Sequence, residues 1–177
     1  MKPILNIADA EATYKLEHGD SFQMSGAPLA EKLGGRAIGA NLTTVPPGKA
    51  AFPLHHHYAN EEHFFILRGQ GKLRYGSAIY AVRPGDYIVT PPGGPEHAHQ
   101  LINTGDEDLV YLALSTLLQT PEVVGYPDSK KTGIRPLPYG APGGKRYLIP
   151  DAQLEGVEYF HGEDGSAIRA QLEKTSK

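Results

Sequence analysis

Between Arg36 and Leu118 the apolar residues come in short runs bounded by turn-forming residues, and none of these runs repeats with a long 3.6-residue period. The segments Ala37 to Val45, His63 to Leu67, Lys72 to Tyr75, Ala78 to Val82, Tyr87 to Thr90, Ala98 to Ile102 and Leu109 to Leu117 each read as a strand. Pro46-Pro47-Gly48, Gly69-Gln70-Gly71, Pro84-Gly85-Asp86, Pro91-Pro92-Gly93-Gly94-Pro95 and Asn103-Thr104-Gly105-Asp106 separate them, and all are strong breakers. Seven strands in about eighty residues predict an all-β antiparallel sandwich or barrel.

The flanks lack this pattern. Residues 1–35 carry a weak helical signal from Ala8 to Leu16, then a glycine-rich stretch, and read as an N-terminal arm to the barrel of residues 36–118. Residues 119–177 read as a C-terminal loop and tail packed on the same domain. Within it, Pro121 to Lys145 shows no convincing element, and Ser166 to Lys174 predicts a short helix with Ser166 as N-cap.

Composition narrows the function classes. A length of 177 residues suits one domain, and no apolar run approaches the roughly 18 residues of a membrane span, so no membrane partner is expected. Met1 to Asp9 lacks the layout of a secretory signal, which predicts a cytoplasmic protein. The net charge of -3 offers no basic surplus for neutralising phosphates, so no nucleic-acid partner is expected. Cysteine is absent, which leaves only nitrogen and oxygen ligands for any metal.

Six of the eight histidines, at positions 55, 56, 57, 63, 97 and 99, fall in the part of the chain that reads as strands. Residues two apart on a strand share a face, so His55 and His57 aim together while His56 points away, to solvent or a subunit contact. Tyr58 to Glu61 can turn the chain back, which predicts a hairpin that sets Glu62 opposite the histidine pair. Glu61 is the rival carboxylate, and His63, facing away from Glu62, is expected to pack. A last ligand has to come from the strand that holds His97 and His99.

Gly48, His55-x-His57, Glu62 and Gly69 resemble the first motif of the cupin family, and Gly85, Pro91, Gly93, His99 and Asn103 resemble the second. The first match has one extra residue between Gly48 and His55. The second departs further: counted from Pro92 its histidine is His97, counted from Asn103 it is His99. Strand register favours His99, because a Pro/Gly loop absorbs extra residues easily. The resemblance implies a double-stranded β-helix (cupin, or jelly-roll) barrel holding one divalent metal on His55, His57, Glu62 and His99. His97 would then face the cavity near its mouth, and Phe64, Ile66 and Leu101 would line an apolar pocket around the ion. The resemblance also implies a homodimer, in which the arm packs on a partner's sheet.

Three neutral imidazoles and one carboxylate leave a divalent ion with one net positive charge and, in octahedral geometry, two open positions. Iron, manganese, nickel and zinc all accept such ligands. The expected function is a metal-dependent enzyme acting on a small oxygenated molecule, by dioxygenase or by isomerase or lyase chemistry. The alternative is a cupin that holds metal and a small ligand without turnover. No residue is singled out as catalytic. Lys130, Lys131, Arg135, Lys145 and Arg146 lie between Tyr126 and Tyr147 against the single acid Asp128, which reads as a solvated loop or as a cover for an anionic substrate.

Overall fold

The computed structural model describes residues 2–117, 121–136, 145–159, 161 and 166. Among these residues the chain forms three antiparallel sheets. The largest has the order β1-β2-β3-β10-β5-β8, from strands β1 (Tyr14–His18), β2 (Phe22–Pro28), β3 (Ile38–Val45), β5 (Glu62–Arg68), β8 (Tyr87–Thr90) and β10 (Leu109–Thr116). A second joins β7 (Ala78–Val82), β6 (Gly71–Tyr75) and β9 (His99–Asn103). The third runs β13-β12-β11-β4, from β4 (His56–His57), β11 (Glu122–Tyr126), β12 (Lys131–Arg135) and β13 (Tyr147–Pro150). An isolated antiparallel bridge between His55 and His99 links the two smaller sheets.

One core holds these layers together. Met24, Val45, Phe64, Ile66, Leu109 and Tyr111 from the large sheet meet Leu73, Val82 and Leu101 from the β7-β6-β9 sheet, with Ala51 between them. Along β5 burial alternates, so Phe64 and Ile66 point inward, and the strand ends at exposed Arg68. This is a two-layered sandwich of the jelly-roll kind, and each of the seven predicted strands is present with its ends within one residue of those expected.

The flanks are more ordered than the sequence pattern suggested. Instead of a helix from Ala8 to Leu16, Ile7–Asp9 forms a 3-10 turn and Tyr14–His18 forms β1. The run Tyr14-Lys15-Leu16-Glu17 alternates with period two, and pairing with β2 outweighs its weak helical pattern. Part of the arm belongs to the large sheet itself, since Met24 and Ala27 of β2 are buried. The stretch after Pro121, expected to lack structure, forms the β11–β12 hairpin around a 3-10 turn at Pro127–Ser129. Of the predicted C-terminal helix, only Ser166 lies within the described residues.

Two turn positions fix the register that the site needs. Gly69 has φ +79°, and a Cβ there would lie 2.4 Å from the Asp108 carbonyl oxygen, so only glycine fits. Asn103 is fully buried: its amide donates to the carbonyls of Val45 and Glu107, each at 2.8 Å, and its oxygen accepts from Gly105 N–H at 2.9 Å. This side chain stitches the end of β9, the strand that begins at His99, to β3 and to the turn leading into β10. Asn103→Ala removes all three bonds and leaves buried backbone groups without partners, so the expected loss is roughly 3 kcal/mol, read from urea unfolding midpoints. An unchanged midpoint would show that the backbone alone holds the turn.

Candidate metal centre

The chain brings four of the predicted residues to one point by a route that differs from the expected hairpin. Strand β4 does not pair with β5; it pairs with β11, with Val124 opposite His57 and Gly125 opposite His56. Glu62 starts β5 in the large sheet, between Ser115 of β10 and Thr90 of β8. His99 opens β9 and exchanges backbone hydrogen bonds with His55 at 2.8 and 3.2 Å. The histidines therefore line one layer and the carboxylate reaches across from the other.

The geometry is convergent. Oε2 of Glu62 lies 2.9 Å from His99 Nε2, 3.4 Å from His57 Nε2 and 3.7 Å from His55 Nε2. Two ligand atoms each about 2.1 Å from one ion, at right angles, are about 3.0 Å apart, so this spacing suits a shared cation. His55, Glu62 and His99 each offer a ligand atom within 4.8 Å of the others.

The opposite edge of each ring also faces an acceptor. His55 Nδ1 donates to the Pro53 carbonyl at 2.9 Å and His99 Nδ1 to the His97 carbonyl at 3.1 Å. His57 Nδ1 sits 3.5 Å from Oε1 of Glu122. Three imidazoles thus have acceptors on both sides, a demand met either by two protons on every ring or by one cation among the three Nε2 atoms. Three imidazolium charges would lie close together, with ring centroids 4.6 to 6.2 Å apart. A single divalent ion meets the same demand with Nδ1–H on each ring and Nε2 as ligand.

His57 marks the tension most clearly: both ring nitrogens are buried and neither makes a hydrogen bond of good geometry. Burial opposes its charge, but the carboxylates of Glu122 and Glu62, at 3.5 and 3.4 Å, outweigh that and raise its pKa to about 9. Burial likewise pushes the His55 pKa down against the pull of Glu62. For Glu62, burial is overcome by the three histidines, which hold the carboxyl well below its ordinary range, so it remains an anion. His55, Glu62 and His99 form a group that could hold a divalent metal, and His57 lies beside it.

The rival residues are placed elsewhere. Glu61 turns outward, where Oε1 accepts from His63 Nε2 at 2.7 Å, and the other nitrogen of His63 is bonded by the Tyr87 hydroxyl. His97 lies in a 3-10 turn, Pro95–His97, before β9 begins, so strand parity does not apply to it, and its Nδ1 is bonded by the Tyr75 hydroxyl at 2.6 Å. His56 is buried rather than solvent-exposed: Nδ1 donates to the Gly93 carbonyl at 2.8 Å, and its ring occupies the space where a Cβ on Gly125 would be. Phe64, Ile66 and Leu101 all lie in the core cluster, and Phe64 also packs its ring against His99, at 5.6 Å between centroids.

Two residues near the centre come from the segment in which no element was expected. Glu122 approaches His57, and the ring of Tyr126 stacks on His55 at 6.1 Å and 26°. Arg74 of β6 fixes that segment from below with a two-toothed ion pair to Asp128 at 2.7 and 3.0 Å. No histidine-like motif advertises Glu122. Its signal is only a lone acid directly before the apolar pair Val123-Val124.

Residues 41–115 match the family model for the cupin domain. This match, over less than half of the chain, supports placing it in the cupin superfamily. It is 37% identical over 71 residues to an uncharacterized protein of Methanocaldococcus jannaschii, a match covering 40% of this chain and 54% of that one. It is 34% identical over 74 residues to the oxalate-binding protein of Thermotoga maritima, covering 42% and 58%. The match thus spans little more than half the length of these two curated relatives. The crystal structure of a candidate sugar phosphate isomerase from Acidithiobacillus ferrooxidans superposes with a TM-score of 0.75 at 26% identity, covering 89% of this chain and 97% of that one.

Metal content separates the two histidines of the second motif. His99→Ala should lose most of the bound metal and His97→Ala should keep it, as measured by elemental analysis of folded protein, because removing a ligand leaves an incomplete shell. Metal loss in the His97 variant alone would reverse the assignment.

Proposed function

We propose that the protein is a metal-dependent enzyme in which His55, His57, His99 and Glu62 hold one divalent ion that acts on a small oxygenated molecule. The observation that carries this reading is the convergence of three imidazole Nε2 atoms on one half-buried carboxylate oxygen, at 2.9, 3.4 and 3.7 Å. Isomerase or lyase chemistry is preferred over dioxygenase chemistry, because the candidate sugar phosphate isomerase from Acidithiobacillus ferrooxidans is matched over 97% of its chain.

When bound, the ion would supply a Lewis acid for a substrate hydroxyl, carbonyl or carboxylate oxygen. The protein's own groups set the conditions for that chemistry. Glu62 is held as an anion by its histidines. The carbonyls of Pro53 and His97 keep His55 and His99 in the tautomer that leaves Nε2 as a ligand. Phe64 shields one side of His99 from water, and Tyr126 covers a face of His55, so a ligand oxygen would meet a partly dry site. Burial pushes the nearby Tyr111 phenol up, which keeps it neutral beneath the site.

A second reading, metal and ligand binding without turnover, draws on the 34% identity to the oxalate-binding protein. Turnover assays decide between the two. Protein stripped with a chelator and reloaded with manganese, iron, nickel or zinc should convert at least one member of a panel of sugar phosphates, hydroxy acids and dicarboxylates, followed by NMR. The stripped protein should be inactive. Conversion that is indifferent to metal would overturn the enzyme reading, and tight binding of a panel member without conversion would favour the binding module.

A further inference from the structure

We propose that Glu122 is a positioning residue of the metal centre: it holds His57 through Nδ1 so that Nε2 faces the ion. This inference rests on the metal reading above and extends it to a residue beyond positions 41–115, the span that matches the cupin domain. Glu122 begins β11, whose pairing with β4 sets Val124 opposite His57 and so brings the start of the strand alongside that ring.

The Glu122 carboxylate is buried and has three partners, all on the segment that carries the ligand. Oε1 lies 3.5 Å from His57 Nδ1 and accepts from Ala59 N–H at 3.4 Å, while Oε2 accepts from Asn60 N–H at 3.1 Å. The backbone bonds brace the turn that follows His57, and the contact with Nδ1 orients the ring. Of the three histidines, only His57 faces a carboxylate on its outer edge; the other two face carbonyls. A carboxylate is the stronger acceptor, and it makes the imidazole a better donor to a metal. Glu122 touches no ligand atom on the inner side of the ring, so it acts through His57 and not on substrate.

The experiment titrates cobalt(II) into chelator-stripped protein and follows the visible absorption of the bound ion. Glu122→Gln removes the charge but keeps the shape, and it should weaken cobalt binding about ten- to a hundredfold and shift the visible band. Glu122→Asp keeps the charge but draws it back from Nδ1 by one methylene, so it should recover most of the affinity while still shifting the visible band slightly. Wild-type affinity and spectrum in Glu122→Gln would overturn the proposal, as would equal losses in both variants accompanied by equal falls in melting temperature, which mark a structural brace only. Should Glu122→Gln not fold, Glu122→Asp alone decides: a shifted cobalt band at unchanged melting temperature supports the role, and an unshifted band removes it. If the wild-type protein takes up no cobalt at all, the metal reading fails instead, and that outcome is distinct from either result for Glu122.

Discussion

The site depends on one electrostatic constraint, a carboxylate that stays ionised inside the protein. Burial alone would favour the neutral acid at Glu62, and three imidazole edges directed at the same oxygen reverse that preference. The arrangement is costly with protons alone, because three neighbouring rings would have to share one anion while their outer edges also donate. In the proposed site a divalent ion would satisfy the carboxylate and all three rings at once. The rest of the fold is arranged to make that convergence possible.

It does so by setting the proposed ligands on opposite layers. The large sheet supplies Glu62 from β5, and the smaller sheets supply His57 from β4 and His99 from β9, with His55 bridging to His99. The core between the layers, from Met24 to Tyr111, packs them at a fixed separation. Buried polar side chains secure the connections: Asn103 ties β9 to β3, and His56 ties β4 to the Pro/Gly loop through Gly93. The β11–β12 hairpin then closes one side, carrying Glu122 and Tyr126 to the histidines and anchored by Asp128 on Arg74.

Much of this was legible in the sequence because it is local. Short apolar runs between glycine and proline turns located the strands, and the period of two put His55 and His57 together and Glu62 with Phe64. The asparagine-anchored register picked out His99, the histidine whose Nε2 lies nearest Glu62. What escaped was long-range. Strand β4 is two residues long, too short to state its partner, and its pairing with β11 spans more than sixty positions, so the hairpin with β5 was the natural local guess. Lys131-Thr132-Gly133-Ile134-Arg135 has no clean alternation, yet it becomes β12 because it lies between β11 and β13. The burial of His56 was equally invisible, since the space it fills exists only because Gly125 stands opposite it with no side chain.

The central claim is that one ion occupies the point on which these four side chains converge. Crystals grown after manganese or zinc loading, with diffraction recorded on both sides of the metal's absorption edge, test it directly. The account predicts one anomalous peak per chain, about 2.0 to 2.2 Å from the Nε2 atoms of His55, His57 and His99 and from a carboxylate oxygen of Glu62. A peak bound by His97 in place of His99, or loaded protein with no peak among these residues, would contradict it.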